Sequence, residues 1–110
     1  MLLYLIACMT EDRFQNQLVV QGCRRGLECD KSTFEESYED ISECEDEATS
    51  VVEDVAHCFD DCEFDAEGAS EEISDYKQAD CSDREIDLFV AYDCPDEGEV
   101  AFCVGLDLAF

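Results

Sequence analysis

The chain has 110 residues, which suits one domain with a modest hydrophobic core. Hydrophobic residues make up 46% of it, a fraction that excludes an unstructured acidic tail. The 31 acidic and 6 basic residues give a net charge of −25, which excludes nucleic acid and anionic membranes as direct partners, because both are bound through lysine and arginine.

The negative charge is concentrated in the middle of the chain. Residues 31–85 contain 21 acidic and three basic residues, whereas residues 86–110 contain six acidic residues and no basic one. Residues 1–30 are close to neutral, with four acidic and three basic residues. We therefore expect a single acidic domain over residues 1–110, with an acidic middle between two apolar ends.

The first 30 residues predict a strand and then a helix. Residues 2–8, LLYLIAC, form a continuous apolar run that is typical of a strand buried on both faces. Thr10 predicts the N-cap of a helix over about residues 11–21, with a returning strand as the alternative. Gly22, Gly26 and the Arg24–Arg25 pair predict a loop after it.

Two acidic amphipathic helices are predicted in the middle of the chain. Ser32 with Glu35, and Ser50 with Glu53, each match a capping box that opens a helix. Helical spacing places apolar residues on the inner sides, which are Phe34, Tyr38, Ile41, Cys44 and Ala48 in the first helix and Val51, Val52, Val55, Cys58, Phe59 and Cys62 in the second. The outer sides are almost entirely carboxylates.

The last 40 residues predict a short helix and a hairpin. A third helix is expected over about residues 70–79, carrying Ile73 and Tyr76. Residues 86–92 and 102–110 alternate between apolar and polar positions around the turn sequence CPDEG, which predicts a β-hairpin. Ser82 and Glu85 also match a capping box, so a helix over residues 83–93 is the alternative.

These elements together predict an α+β fold. A small antiparallel sheet, built from the N-terminal strand and the C-terminal β-hairpin, carries two or three acidic amphipathic helices packed on one face. The exposed apolar strand at the end of the chain also predicts self-association through terminal strands.

Neither catalysis nor a cofactor is expected. His57 is the single histidine, and it lies on the predicted outer side of a helix with acidic residues three and four positions to either side. Without a second histidine, the sequence offers no partner that would complete a serine or cysteine triad. No glycine-rich loop for binding phosphate is present.

A metal site is not expected, although one segment partly matches a calcium-binding loop. The weak candidates for calcium ligands are Asp61, Glu63, Asp65 and Glu72. The sixth position of that loop is Ala66, where the sharp turn requires a glycine. Cys58 and Cys62 have helical rather than zinc-site spacing, so we interpret them as small buried hydrophobic residues.

The nine cysteines allow two interpretations. The amino terminus has no basic region and no small-residue cleavage site, so it is a poor secretion signal. We therefore expect an intracellular protein, cytoplasmic in a host cell rather than secreted, with mostly reduced thiols. A disulfide framework in a secreted chain is the alternative.

The spacing of several cysteines supports that alternative. The patterns Cys29-x28-Cys58-x3-Cys62 and Cys94-x8-Cys103 resemble those of insect odorant-binding proteins, which are secreted helical ligand carriers with three disulfides. The interval from Cys62 to Cys81 is about half as long as that family pattern requires. The chain also loosely resembles small acidic ciliate pheromones, which are likewise helical and disulfide-bonded.

The acidic helices predict a binding function. Residues 34–47 carry eight carboxylates, which is about one charge per 2.5 Å of helix and comparable with duplex DNA at about 1.7 Å. We expect a non-enzymatic nucleic-acid mimic that occupies the cationic groove of a nucleic-acid-binding protein, similar in type to the anti-restriction and anti-CRISPR inhibitors of viruses and mobile elements. The residues expected to bind the partner are Glu35, Glu36, Glu39, Asp40, Glu43, Asp46, Glu47, Glu53, Asp54, Asp60 and Asp61. The alternative is a secreted, disulfide-stabilised small domain that acts as a ligand carrier, a signal or an assembly subunit.

Overall fold

The computed structural model describes residues 9–83 and 85–108, and these residues are mostly helical. In chain order the elements are α1 (Glu11–Cys29), α2 (Lys31–Ser37), α3 (Ile41–Ala56), a first 3₁₀ turn (His57–Phe59), β1 (Glu63–Phe64), α4 (Ala66–Gln78), a second 3₁₀ turn (Cys81–Asp83), α5 (Leu88–Ala91), β2 (Tyr92–Asp93) and α6 (Glu97–Leu108). The α+β prediction is confirmed in its coarse form, as a mostly helical chain with one small antiparallel sheet. The predicted N-terminal strand lies outside the described residues.

Helix α1 begins where the sequence predicts and extends eight residues further. The Thr10 hydroxyl accepts a hydrogen bond from the Arg13 backbone N–H at 3.2 Å, as an N-cap does. The loop predicted at Gly22 and Gly26 is wrong, because the helix continues through both glycines to Cys29. Each glycine costs about 1 kcal/mol in a helix, and burial of the apolar face of the helix offsets that cost.

Arg25 belongs to this helix and not to a loop. Its side chain is largely buried, and its Nη2 donates a hydrogen bond to the carbonyl of Ala79, the residue that caps the end of α4. Its Nη1 lies 3.3 Å from a Glu28 carboxylate oxygen. A cation at the carboxyl end of a helix is electrostatically favourable, so Arg25 joins α1 to α4.

The first acidic helix of the sequence prediction is divided into two. Helix α2 ends at Ser37, Tyr38 is extended, and α3 begins after Asp40, whose carboxylate accepts from the Glu43 N–H at 2.9 Å. Both predicted capping boxes are therefore wrong, because Ser32 and Ser50 lie inside helices. The helix starts after Asp40, and not at either serine, because Asp40 is a good N-cap. The extended backbone at Tyr38 also lets the Tyr38 ring pack on Phe34, with ring centroids 5.1 Å apart.

The apolar side of the first predicted helix was predicted correctly despite the break, whereas Val51, expected on the inner side of the second, is 42% exposed. A smaller core cluster contains buried Cys23, Phe34 and Cys44, with Tyr38, Ile41 and Ala48 packed against it. The third predicted helix is also confirmed as α4, which begins earlier, at Ala66, and buries Ile73 and Tyr76.

The main core is formed where α1, α3, α4 and the β2 region meet. Its centre contains the aromatic rings of Phe14, Phe59 and Tyr92, and the Phe59 and Tyr92 rings stack with centroids 4.5 Å apart. Ile73 and Val100 close it from α4 and α6. The helices pack mainly on one another, because each strand of the sheet has only two residues.

The predicted C-terminal hairpin is wrong. Strand β2 pairs antiparallel with β1, so that Phe64 lies opposite Tyr92, and residues 97–108 form a helix. Val100, Cys103 and Val104 recur at the i, i+3, i+4 spacing of one helical face, whereas Phe102 is 70% exposed. The apolar residues interpreted as a strand with a period of two therefore belong to a helix with a period of 3.6. The strand expected to mediate self-association is helical over residues 102–108.

The alternative helix over residues 83–93 is also not observed. Among the described residues of that range, α5 is the one α-helix, with four residues, and it is followed directly by β2. Asp87 caps α5 by accepting a hydrogen bond from the Phe89 N–H at 3.0 Å. Among the helices that the structure describes, none is both long enough and apolar enough to cross a bilayer.

Candidate functional site

Four disulfides tie the described part of the chain together. They join Cys23 to Cys44, Cys29 to Cys81, Cys58 to Cys103 and Cys62 to Cys94, with Cα–Cα distances of 5.9, 5.5, 5.7 and 4.3 Å. The expectation of mostly reduced thiols is wrong for these eight residues. Cysteines at apolar positions look alike in sequence whether they are free or bonded, and only the approach of two segments that are distant in the chain pairs them.

Two of the bridges act at the same place. Cys58 and Cys62, four positions apart in the segment that follows α3, are bonded to Cys103 in α6 and to Cys94 just after β2. They therefore hold the end of the α3 segment against the last 15 residues of the described chain. Closing loops of 45 and 32 residues removes unfolded-state entropy worth about 3–4 kcal/mol for each bridge.

Five of the eleven carboxylates predicted to bind a partner lie on one side of α3. We define the acidic face as Glu43, Asp46, Glu47, Glu53 and Asp54, which are all exposed and lie within about 120° of the helical wheel. No basic residue occurs within this helix. Like charges one turn apart, such as Glu43 and Glu47, repel each other, so the face is maintained at a cost in helix stability.

The remaining predicted residues lie on either side of this face. Asp60 and Asp61 follow the first 3₁₀ turn and are exposed, and Asp60 lies 3.7 Å from the His57 imidazole. Glu35 and Glu36 are exposed on α2, where Lys31 approaches Glu35 to 4.0 Å. The break before α3 separates these two from the acidic face, so the continuous rod of eight carboxylates expected over residues 34–47 is not present.

Three of the predicted partner-binding residues have a local structural role. Asp40 caps α3, and the Glu43 carboxylate accepts a hydrogen bond from the Glu39 N–H at 3.4 Å. Reversing the charges of these residues would therefore disturb the start of α3 as well as any partner. Asp46, Glu47 and Asp54 are the better probes of the face.

The four weak calcium candidates are not arranged as a binding loop. Residues 66–72, the second half of the required loop, are already helical in α4. Asp65 caps that helix by accepting from the Gly68 N–H at 3.0 Å, and Glu72 accepts from the Asp87 N–H at 2.9 Å. Across the described ranges, no group of three or more histidine, cysteine or acidic side chains is placed to hold a metal ion.

An apolar cleft opens beside the acidic face, and sequence reasoning did not find it. It has a volume of about 200 Å³ and lies between α1, α3 and the segment from Ile86 to Tyr92. Val51 stands at its mouth and is 42% exposed. The Val51–Val52 pair was the signal available in the sequence. Adjacent residues of a helix point about 100° apart, so one narrow apolar stripe does not bury both, and an exposed valine indicates an apolar surface beside the core.

Tyr92, one of the residues that line this cleft, is buried and its hydroxyl is hydrogen-bonded. The Tyr92 ring is only 5% exposed, its hydroxyl donates to Glu11 at 2.9 Å, and the Gln15 side chain hydrogen-bonds to the same oxygen. Burial is the main cause that raises the pKa of Tyr92 far above its ordinary value, and the nearby Glu11 charge adds to it. This phenol is therefore a neutral hydrogen-bonding group at physiological pH.

Comparisons with models of protein families, with curated proteins and with solved structures found no match for the chain.

Proposed function

We propose that the protein is a non-enzymatic, disulfide-stabilised binding protein that acts in an oxidising, extracellular setting and holds a basic partner protein on the acidic face of α3. The observation that carries the proposal is the acidic face itself, five exposed carboxylates on one helix, held in place by bridges at both ends. Cys44 near its start and Cys58 just beyond its end are both bonded to other elements.

The bridges favour an oxidising setting. Disulfides persist in secreted proteins and are reduced by glutathione and thioredoxin in the cytosol. Eight of the nine cysteines are in bridges, and these close loops of 21 to 52 residues. We therefore propose secretion in place of the cytoplasmic location expected from the amino terminus.

The charge pattern favours a basic protein as the partner. A net charge of −25 attracts cationic molecules over long distances and accelerates their association. The acidic face then offers a defined set of carboxylates at which a partner's lysine and arginine side chains form charge-assisted hydrogen bonds. Asp60 and Asp61 extend the same surface past the first 3₁₀ turn.

Nucleic-acid mimicry is the narrower form of this proposal. Helix α3 has 16 residues, which is about 24 Å of rigid helix at 1.5 Å per residue, and this length suits the groove of a nucleic-acid-binding protein. It carries fewer charges per ångström than the uninterrupted rod expected from the sequence. Competition by duplex DNA tests this narrower form. DNA should displace the protein from a partner that binds the acidic face in its nucleic-acid groove, and should not displace it from a partner that binds the face elsewhere.

The test compares two matched double variants of the oxidised full chain. Glu47→Gln with Asp54→Asn removes two charges from the acidic face, and Glu71→Gln with Asp75→Asn removes two exposed charges from α4. Binding of a 20-residue lysine–alanine helical peptide is measured by calorimetry at several salt concentrations. We expect the α3 variant to weaken binding by about tenfold and to reduce the salt dependence, while the α4 variant changes binding by less than about twofold. Equal losses in the two variants would show that only net charge matters, and the acidic face would not be a site.

A further inference from the structure

The apolar cleft is lined by apolar side chains from several elements of the fold. Its floor is formed by the buried side chains of Val55, Phe59 and Tyr92, and its sides include the half-buried Leu18 and Leu88. These residues come from α1, α3, the first 3₁₀ turn, α5 and β2, so five elements of the fold converge on it. Such a lining favours an apolar body and contributes about 0.8 kcal/mol for each methylene group that it buries.

The size of the cleft limits what it can take. A cavity of about 150 Å³ is enough for benzene, and drug-sized ligands occupy 300 Å³ or more. At about 200 Å³ the cleft suits a linear or single-ring apolar group and is too small for a long-chain lipid. A ligand of this size must gain further affinity from the polar surroundings of the cleft.

A second, charged cleft adjoins the first. Gln15 and Val52 line both of them, and the second, of about 170 Å³, is also lined by the exposed acidic residues Asp12 and Glu53. These two acids come from α1 and α3, the helices on either side of the groove. A molecule seated among the apolar residues therefore has its outer end beside two negative charges.

From this arrangement we propose that the two adjoining clefts form a binding site for a small amphiphilic cation, with an apolar body of about six to ten heavy atoms and a single ammonium group. The apolar body lies against Val55, Phe59 and Leu88, and the ammonium group lies between Asp12 and Glu53. The inference is independent of the proposed basic protein partner, although Glu53 belongs to both surfaces.

Charge selects among the ligands that fit the apolar cleft. An alkyl carboxylate places its negative head group beside Asp12 and Glu53, inside a chain of net charge −25, and is repelled. A neutral alcohol has the same hydrophobic gain without the attraction. One ion pair at about 4 Å in water contributes about 1 kcal/mol, which corresponds to about a fivefold difference in affinity, and two carboxylates or a drier site increase it.

The direct test uses three probes with the same eight-carbon chain. Octylammonium, octan-1-ol and octanoate are titrated below their aggregation concentrations into the oxidised full-length protein, and binding is followed by calorimetry and by two-dimensional NMR of the backbone amides. We expect one octylammonium per chain, affinity at least about fivefold above the alcohol and higher still above octanoate, and shifts centred on Leu18, Val55 and Leu88. Equal affinity for all three probes, or shifts spread over the whole surface, would overturn the proposal.

Two substitutions distinguish a local effect of the site from the overall negative charge of the protein. Glu53→Gln removes a carboxylate that lines the second cleft, and Asp54→Asn removes the neighbouring exposed carboxylate that does not line it. We expect the first to lower octylammonium affinity by about fivefold and to leave the alcohol unchanged, while the second changes neither by more than about twofold. Equal losses from both would mean that the ammonium group responds only to net charge.

A third substitution tests the apolar cleft. Val51→Trp places a large ring at the mouth of the cleft, at a position that is already 42% exposed, so the core need not be repacked. We expect it to reduce binding of both octylammonium and octan-1-ol by about tenfold or more, with unchanged binding of the lysine–alanine peptide. Unaltered binding of the two probes in a folded Val51→Trp protein would exclude the cleft as their site.

Discussion

The Tyr92 hydroxyl donates a hydrogen bond to a Glu11 carboxylate oxygen at 2.9 Å, which joins residues 81 positions apart in the chain. This contact fixes the first turn of α1 against β2, and the Tyr92 ring beneath it stacks on Phe59. The same residue lines the apolar cleft, so the bond also helps to hold one wall of the proposed cation site.

We expect Tyr92→Phe to lower the free energy of unfolding by about 1 kcal/mol, because the ring and its stacking are retained and only the hydrogen bond is lost. Guanidinium chloride denaturation under non-reducing conditions measures this change. Tyr38→Phe, which removes a hydroxyl from the half-buried ring of the smaller core cluster, is the matched control and should cost less. A larger loss in the control would contradict this role for the Tyr92–Glu11 bond.

Stability should decline at high pH because two tyrosines resist ionisation in the folded state. Burial raises the pKa of both Tyr92 and Tyr76, and Arg25 partly counteracts the rise at Tyr76. The unfolded chain ionises its tyrosines near pH 10, whereas these two stay neutral in the folded protein. Their contribution to stability is therefore complete below about pH 10 and is lost progressively as the pH rises above that value.

Ultraviolet titration of phenolate in the folded protein measures this effect. Of the four tyrosines, we expect Tyr92 to be among the last to ionise, and Tyr92→Phe should remove one late-titrating group. Ionisation of all four together near pH 10 would show that the burial of these rings does not control their pKa values.

Gly68 lies where α4 and α5 approach most closely. A Cβ atom at this position would overlap the carbonyl oxygen of Val90, which is backbone and cannot rotate away. We expect Gly68→Ala to lower the free energy of unfolding by about 2–3 kcal/mol through overpacking. Thermal denaturation of the oxidised protein measures the change.

Gly22→Ala is the matched control for this prediction. Gly22 lies inside α1, and a Cβ there has no heavy atom of the surroundings within 4 Å. We expect this substitution to stabilise the protein by about 0.5–1 kcal/mol, because alanine favours the helix and restricts the unfolded chain. If both substitutions had the same sign, the contact between Gly68 and Val90 would not be the cause.

The four bridges predict a defined peptide map. Non-reducing proteolysis and mass spectrometry should recover the pairs Cys23–Cys44, Cys29–Cys81, Cys58–Cys103 and Cys62–Cys94, and thiol titration of the native chain should find one thiol among nine cysteines. We expect full reduction to unfold the domain, since each bridge contributes about 3–4 kcal/mol. Nine reactive thiols in a folded protein would contradict both the pairing and the extracellular setting.

The break between α2 and α3 depends on one cap. Asp40→Ala should cost about 1 kcal/mol, because the Glu43 N–H loses its acceptor, whereas Asp40→Asn retains a capping oxygen and should cost much less. Chemical denaturation of the two variants measures the difference. Equal losses would indicate that the charge of Asp40, and not its cap, stabilises α3.

Local signals in the sequence were sufficient where neighbouring residues decide the structure. The Thr10 cap, the buried sides of α2 and α4, and that of α3 except for Val51 were predicted correctly, because a 3.6-residue apolar period and a capping hydroxyl act within one or two turns. The errors occurred where two local signals compete. Ser32 and Ser50 match a capping box as well as Asp40 does, and residues 102–108 fit a period of two as readily as a helical face.

The sequence by itself determined the strong negative charge, the helical character of the middle of the chain and most of the residues there that face inward. The tertiary structure decided the cysteine pairing, the end of the acidic rod at Ser37, the helical C-terminal segment, and the cleft beside Val51. The physical reason is distance along the chain. Periodicity and capping act between residues three or four positions apart, whereas bridges that span 21 to 52 residues and a cleft lined from five elements exist only once the helices have packed.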